Sequence, residues 1–193
     1  MTAKDSNDGP RQTASLSAPA EAARLRKLGF NIIPIKQGTK VPRASANENL
    51  RWRADGCDTL ILKNDSIAML HGDAGKTWAL DCDDPSILDD LLKDLMEYAE
   101  KLCVVRTPKY GHHIIFKVDG ASLPPPRDLR YMDNRGRMID VKSSGCTLLP
   151  PSTYPDEQFG IYEYLFETNA PRTSMRWGDV LNILHRHGFF SRQ

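Results

Sequence analysis

Cysteine is scarce and scattered in this chain. The four residues, Cys57, Cys82, Cys103 and Cys146, form no C-x-x-C pair, so their spacing suggests neither a structural zinc site nor a disulfide framework. They read as reduced, mostly buried thiols. Long apolar runs are missing as well. No stretch approaches the roughly 20 residues that span a bilayer, and the N-terminus lacks the apolar centre of a signal peptide. The chain is therefore read as cytoplasmic, with no membrane partner. Nor is there an excess of one charge: 26 Lys and Arg stand against 25 Asp and Glu, a net +1. That excludes a global basic footprint, so any nucleic-acid contact must come from a local patch. What is present is 40% hydrophobic residues over 193 positions, enough for one domain of ordinary size with a proper core.

Residues 1–18, "MTAKDSNDGPRQTASLSA", are small and polar without periodicity and are expected to form a disordered tail. Pro19 then stands near a helix start, Ala22, Leu25 and Leu28 follow at helical spacing, and Gly29 is placed to end the helix. Strands are expected at "FNIIPI", "SIAMLHG", "TWALDCD", "CVVRT", "HHIIFKV", "RMIDVK" and "CTLLP". Between the third and fourth, "PSILDDLLKDLMEYAEKL" repeats Ile87, Leu88, Leu91, Leu92, Leu95, Met96 and Ala99 on one helical face. Asp84 and Pro85 suit its first turn. "ASLPPPRDLRYMDNRG" reads as a long loop, and "SMRWGDVLNILHRHG" as a last helix. The mixture is α+β.

The stretch "TWALDCDDP" concentrates three aspartates at the end of an apolar run. In a strand, residues two apart face the same way, so Asp81 and Asp83 present both carboxylates to one side. At about 4 Å and an effective dielectric near 20, their repulsion is on the order of 4 kcal/mol, which calls for a cation. A hard divalent ion is one resolution. Strand-end and helix-capping duty is the other, and the short pattern leaves both open. In "MIDVKSSGCTLLPPS", Asp140 and Lys142 share the polar face of a strand, which a merely solvated face also explains. In "RTPKYGHHIIF", Gly111 and His113 share a face opposite to His112. Gly111 can admit a ligand to the backbone and His113 can donate to a phosphate oxygen, or the histidine is simply a satisfied polar residue.

In chain order, "LDCD", "TPKYGHHIIF" and "IDVKSSGCTLLPPS" resemble the three signature motifs of the archaeo-eukaryotic primase superfamily, closest to the bifunctional primase-polymerase branch of plasmid and viral replication proteins. "LGFNIIPIKQGTKVP" with Trp52 is similar to that family's opening segment. The resemblance covers roughly residues 20–165 and implies a palm-like, RRM-related fold, mainly antiparallel and flanked by helices, with an N-terminal αβ subdomain. The expected organisation is the tail, a catalytic domain over 19–170 and a C-terminal helix within 171–193. The resemblance implies that Asp81, Asp83 and Asp140 are catalytic carboxylates holding two Mg²⁺ or Mn²⁺ ions. It implies nucleotide contacts from Gly111, His113, Lys142, Ser152 and Lys40. Tyr110 stands where a second glycine is usual, and Lys142 keeps the charge of the family's frequent arginine but not its fork.

The activity so implied is template-dependent joining of dNTPs or NTPs to a 3′-hydroxyl, that is, DNA primase and polymerase chemistry. Its partners are a single-stranded DNA template and a primer, with a helicase or accessory priming domain supplied separately. Template contacts are expected from Arg51, Arg53, Arg127, Arg130, Arg135 and Arg137. Two rivals are a non-catalytic nucleotide or nucleic-acid binding module of the same fold, and a metal-dependent single-strand nuclease. The nuclease reading needs two histidines on one strand face, whereas His112 and His113 are adjacent. His185 and His187, two apart on a helix, do not share a face either.

Overall fold

The computed structural model describes residues 17–43, 61–72, 76–98, 102–119, 129–154, 156, 159–166 and 174–191. The chain runs α1 (Ala18–Lys27), β1 (Ile32–Ile35), β2 (Ser66–Leu70), β3 (Thr77–Cys82), α2 (Ser86–Met96), β4 (Leu102–Arg106) and β5 (His112–Lys117). There follow β6 (Leu129–Met132), β7 (Met138–Lys142), β8 (Cys146–Leu149), β9 (Glu163–Phe166), α3 (Trp177–Arg186) and β10 (Phe190–Ser191). Seven strands form one sheet in the order β10-β6-β7-β3-β5-β4-β9, and β1-β2-β8 form a second. Every strand pairing in both is antiparallel. The architecture is the α+β palm-type fold, a mainly antiparallel sheet flanked by helices. Its N-terminal αβ unit is completed by β8 from late in the chain. No helix among the described residues is long and apolar enough to cross a membrane.

The large sheet separates two cores, and the period-2 alternation of its strands decides which side chain enters which. Trp78, Leu80 and Cys82 of β3 point to the side closed by α2 and α3, with Ile87, Leu91 and Leu95 from one helix and Val180, Ile183 and Leu184 from the other. Trp78 meets Trp177 there, ring centroids 5.7 Å apart. Ala79, Cys103, Val105 and Ile115 point to the opposite side, against Ala22 and Leu25 of α1 and Ile33, Ile67 and Leu149 of the small sheet. Burying each such aliphatic side chain is worth about 1.5–3 kcal/mol.

Helix ends follow their sequence signals. Phe30 N–H donates to Leu25 O at 3.1 Å and Gly29 N–H to Arg26 O at 2.8 Å, with Gly29 at φ +82°, so the glycine ends α1 in a Schellman motif as expected. Asp84 accepts the Ser86 backbone N–H at 2.9 Å and the Ser86 hydroxyl at 2.7 Å at the start of α2. That third aspartate is structural.

Three expectations are corrected. The helix expected over 85–102 spans only Ser86–Met96, Met96 is exposed, and Leu102 opens β4 instead; Ala99 lies outside the described residues. The expected loop over 121–136 contains β6, whose residues pair with β7. The edge strands β9 and β10 were not anticipated, being four and two residues long with little apolar alternation. The tail expected over 1–18 lies outside the described residues except for Ser17 and Ala18. The C-terminal helix packs in the same core as α2, and β10 pairs with β6.

Arg137 is also relocated. Its guanidinium donates to Asp133 at 2.7 Å and to the Ser86 hydroxyl at 2.9 Å, pairs with Asp90 at 2.7 Å, and lies over the Phe189 ring. At 11% side-chain exposure it is a clamp joining the β6–β7 turn to α2 and the C-terminus, not a free contact for DNA. Arg137→Ala would leave the buried Asp133 carboxylate without its guanidinium. The expected loss is on the order of 2 kcal/mol, or a melting temperature lower by roughly 4–8 °C in thermal denaturation. An unchanged melting temperature would count against the clamp.

Candidate active site

The site is a row across four strands. β3 lies between β5 and β7, and the register sets Asp81 opposite His113 on one side and opposite Asp140 on the other. Asp140 in turn faces Arg130 on β6. Opposed residues in an antiparallel ladder share a face and bring their Cβ atoms within about 4.5–5.5 Å. His113, Asp81, Asp140 and Arg130 therefore stand side by side, on the face that also carries Ala79 and Ile115. Lys142, two residues along β7, reaches back into the row, its Nζ 3.4 Å from Asp140 Oδ2 and 3.8 Å from Asp81 Oδ2. Asp81, Asp140 and Lys142 side chains are each 27% exposed, so the row is sheltered yet accessible.

Like charges directly opposite on a sheet are destabilising, and the local basic groups show how this chain tolerates them. Arg130 holds Asp140 with both ends of its fork, Nε to Oδ1 at 2.7 Å and Nη2 to Oδ2 at 3.0 Å. The Arg130 hydrogen bonds outweigh burial and, with the Lys142 charge, keep the Asp140 carboxyl below its usual range. Asp81 has no such fork. Burial pushes its carboxyl up to about 6, with Asp83 and Asp140 adding to the rise against the pull of Lys142 and Lys40. Burial lowers His113 to about 4 despite the nearby Leu148 carbonyl, so at neutral pH its ring is uncharged, with Nε2 3.6 Å from Asp81 Oδ1. His112 faces the other way, and burial lowers it too.

Asp83 lies one residue beyond the end of β3 and is exposed. Gly111 explains how its backbone is held. A Cβ on Gly111 would sit 2.5 Å from Cys82 O and 3.1 Å from Asp83 Cα, so the missing side chain admits the backbone of the acidic motif, not a ligand. Ser152 is likewise reassigned. It is 1% exposed, and its hydroxyl donates to Ile67 O at 3.0 Å and accepts from Ile67 N–H at 2.9 Å. Its one donor is spent on tying the segment after β8 to β2, and burial keeps the hydroxyl from meeting a nucleotide.

Lys40 is exposed, and its charge acts on both Asp81 and His113. Arg135 is exposed in the β6–β7 turn. Arg51, Trp52, Arg53, Arg127 and Cys57 lie outside the described residues. Cys82 and Cys103 are buried free thiols and Cys146 is partly buried. Burial and four nearby aspartates raise the Cys82 thiol far above its ordinary range. Sequence reasoning missed two neighbours of the row. Tyr162, 2% exposed, lies against His113 with ring centroids 5.7 Å apart. His71 is buried between Thr77 and Thr147, its Nε2 2.9 Å from Thr147 Oγ1, and burial, with His113 and Lys142 nearby, lowers it to about 3. A histidine closing an apolar strand was the only signal for the latter.

Among the described residues no three His, Cys, Asp or Glu side chains converge as a ready-made metal site. Arg130 and Lys142 occupy the carboxylate oxygens instead. The donor set nonetheless has the chemistry of a hard-cation site, since Asp81, Asp83 and Asp140 all offer carboxylate oxygen, with the His113 imidazole beside them.

A family model described as bifunctional DNA primase/polymerase, N-terminal, matches residues 22–177. No curated protein matches the chain.

The strain on Asp81 is measurable. A carboxyl raised from 3.8 to about 6 on folding favours the neutral form, so its charge destabilises the fold at pH 7 and ceases to do so as pH falls through 6 toward 4. Without divalent metal, Asp81→Asn is expected to be more stable than the native chain at pH 7 by on the order of 2 kcal/mol, the gap closing by about pH 4. Denaturant melts at both pH values check this, and equal stability at pH 7 would contradict it.

Proposed function

The chain belongs to the family of bifunctional DNA primase/polymerase N-terminal domains, a family of DNA primase and polymerase function, and from that premise we propose that it is a template-dependent nucleotidyltransferase. It joins dNTPs or NTPs to a 3′-hydroxyl with the help of two Mg²⁺ or Mn²⁺ ions. The observation that carries this reading is the pair of carboxylates, Asp81 and Asp140, held in register on adjacent strands with Asp83 just beyond.

Asp81, Asp83 and Asp140 would hold the ions. Two ions bound there supply charge neutralisation to the attacking and leaving oxygens of an in-line displacement. The chain's own residues do the rest. Arg130, at the exposed end of the row, would release the Asp140 oxygens were a divalent ion held there, since an exposed ion pair contributes little to the fold. Its guanidinium is then free to meet a phosphate. Lys142 already stands between two carboxylates, and its ammonium can transfer its attraction to the triphosphate as a point charge. His113, neutral and steadied by Tyr162, donates a hydrogen bond to a phosphate oxygen without adding charge. The 3′-oxygen forms its bond to the α-phosphorus as the bond to the departing pyrophosphate breaks. Single-stranded template and primer are the partners this chemistry requires.

Extension of a labelled primer on a single-stranded template, with dNTPs and Mn²⁺ or Mg²⁺, tests the proposal. The native chain is expected to extend only with metal. Asp81→Asn combined with Asp140→Asn should lower the rate by more than about a hundredfold, since even indirect supports of metal ligands cost 10–100-fold. Metal-dependent nucleotide binding without extension would favour the non-catalytic module, and nicking of the template would favour the nuclease.

A further inference from the structure

Beside the carboxylate row, three separate turns bring lysines and aromatic rings together at the surface. The turn after β1 supplies Lys40, whose Nζ lies 5.1 Å from the Tyr154 ring centroid. The β4–β5 turn supplies Lys109, 4.8 Å from the same ring and 4.7 Å from the Phe159 ring. Tyr154 and Phe159 come from the turn before β9 and meet edge to face at 5.4 Å. Both lysines are exposed, and both hold their ammoniums over rings where a surface lysine would ordinarily seek a carboxylate. Two fixed cations and a set of rings suit a ligand that carries both phosphate and base.

Tyr110 stands next to Lys109 in the same turn. Its backbone is in the left-handed region at φ +66°, which disfavours a bulky side chain, and the residue is 70% exposed. The residue gains almost nothing from burial, so neither backbone nor packing accounts for a tyrosine here. Glycine would fit the tight turn, closed by Tyr110 N–H to Thr107 O at 2.9 Å and Thr107 N–H to Gly111 O at 2.8 Å, with less strain. The ring's use lies outside the fold. The turn is also next to the chemistry, because Gly111 packs on the backbone of Asp83.

We propose that Lys40, Lys109, Tyr110, Tyr154 and Phe159 form a platform that grips single-stranded DNA at the edge of the carboxylate row, the lysines meeting its phosphates, the exposed Tyr110 and Phe159 rings stacking on its bases and the partly buried Tyr154 ring backing the lysines. The proposal rests on the nucleic-acid-directed reading of the site and assigns the strand to residues other than the six arginines named from the sequence. A free nucleotide offers the same two chemistries, so the test must separate strand from monomer.

The test is fluorescence anisotropy of a labelled oligothymidylate with the full chain, without metal or nucleotide, competed by unlabelled oligothymidylate or by dTTP. Native chain is expected to bind the oligomer, with dTTP a poor competitor. Tyr110→Gly should weaken binding roughly tenfold, within the range for one lost stacked base, while raising the melting temperature by roughly 2–6 °C through relief of the left-handed strain. Lys40→Gln with Lys109→Gln should reduce the salt slope of log K by about 1.4. Native affinity in both Tyr110→Gly and the double lysine variant, or dTTP competing as well as the oligomer, would overturn the platform. Because binding is read without turnover, failure of the native chain to extend a primer leaves this result standing, and extension by variants with undiminished DNA affinity would sink the platform alone.

Discussion

The β-ladder forces Asp81 and Asp140 to stand opposite one another, and the rest of the site follows from that constraint. Two carboxylates at cross-strand distance repel, and burial denies Asp81 the water that would screen the repulsion. Three basic groups answer it: Arg130 with a full fork on Asp140, Lys142 between the pair, and Lys40 at longer range. The scaffold supplies the rigidity that keeps the pair from separating. Each strand of the row is anchored on its reverse face in the core beneath α2 and α3, through Leu80 and Cys82, Ile114 and Phe116, Ile139 and Val141, and Tyr131. A site built at a cost in stability, on strands so firmly held, suits the cation-dependent phosphoryl chemistry proposed for it.

The supports around the row divide the labour between shape and charge. Gly111 lets two backbones pass closely and so sets where Asp83 begins. Ser152 uses its hydroxyl to pin the segment after β8 to β2. Arg137 draws the β6–β7 turn onto α2, which keeps Asp140 and Arg130 on neighbouring strands next to the acidic motif. None of these residues needs to touch a substrate, yet each determines where one that does will stand.

Much of this was legible in the chain itself, and the limits have physical causes. The hydrophobic period marked β3, β5 and β7 and the start of α2, and the side-chain alternation told which residues of one strand share a face. Neither could say which strands are neighbours. The meeting of Asp81 with Asp140 joins positions 59 residues apart, and only the resemblance of the motifs to a known family supplied it. "LRYM", which holds Arg130, follows three prolines and barely alternates, so its pattern is that of a loop, yet it pairs as a strand along its whole length. Ser152 and Gly111 were chosen for the right motifs, but their partners are protein. Hydrogen-bond capacity and close backbone approach depend on long-range contacts that no local pattern reveals. His71 carried no signal beyond its place at the end of an apolar strand.

The most direct test is the melting temperature of the native chain and of Asp140→Asn as Mn²⁺ is raised. If the carboxylate row binds divalent cations, the native chain gains stability with metal, about 2.7 kcal/mol at a hundredfold excess over the dissociation constant, and the variant gains far less. A native melting temperature indifferent to Mn²⁺, or an equal rise in both proteins, would contradict the account.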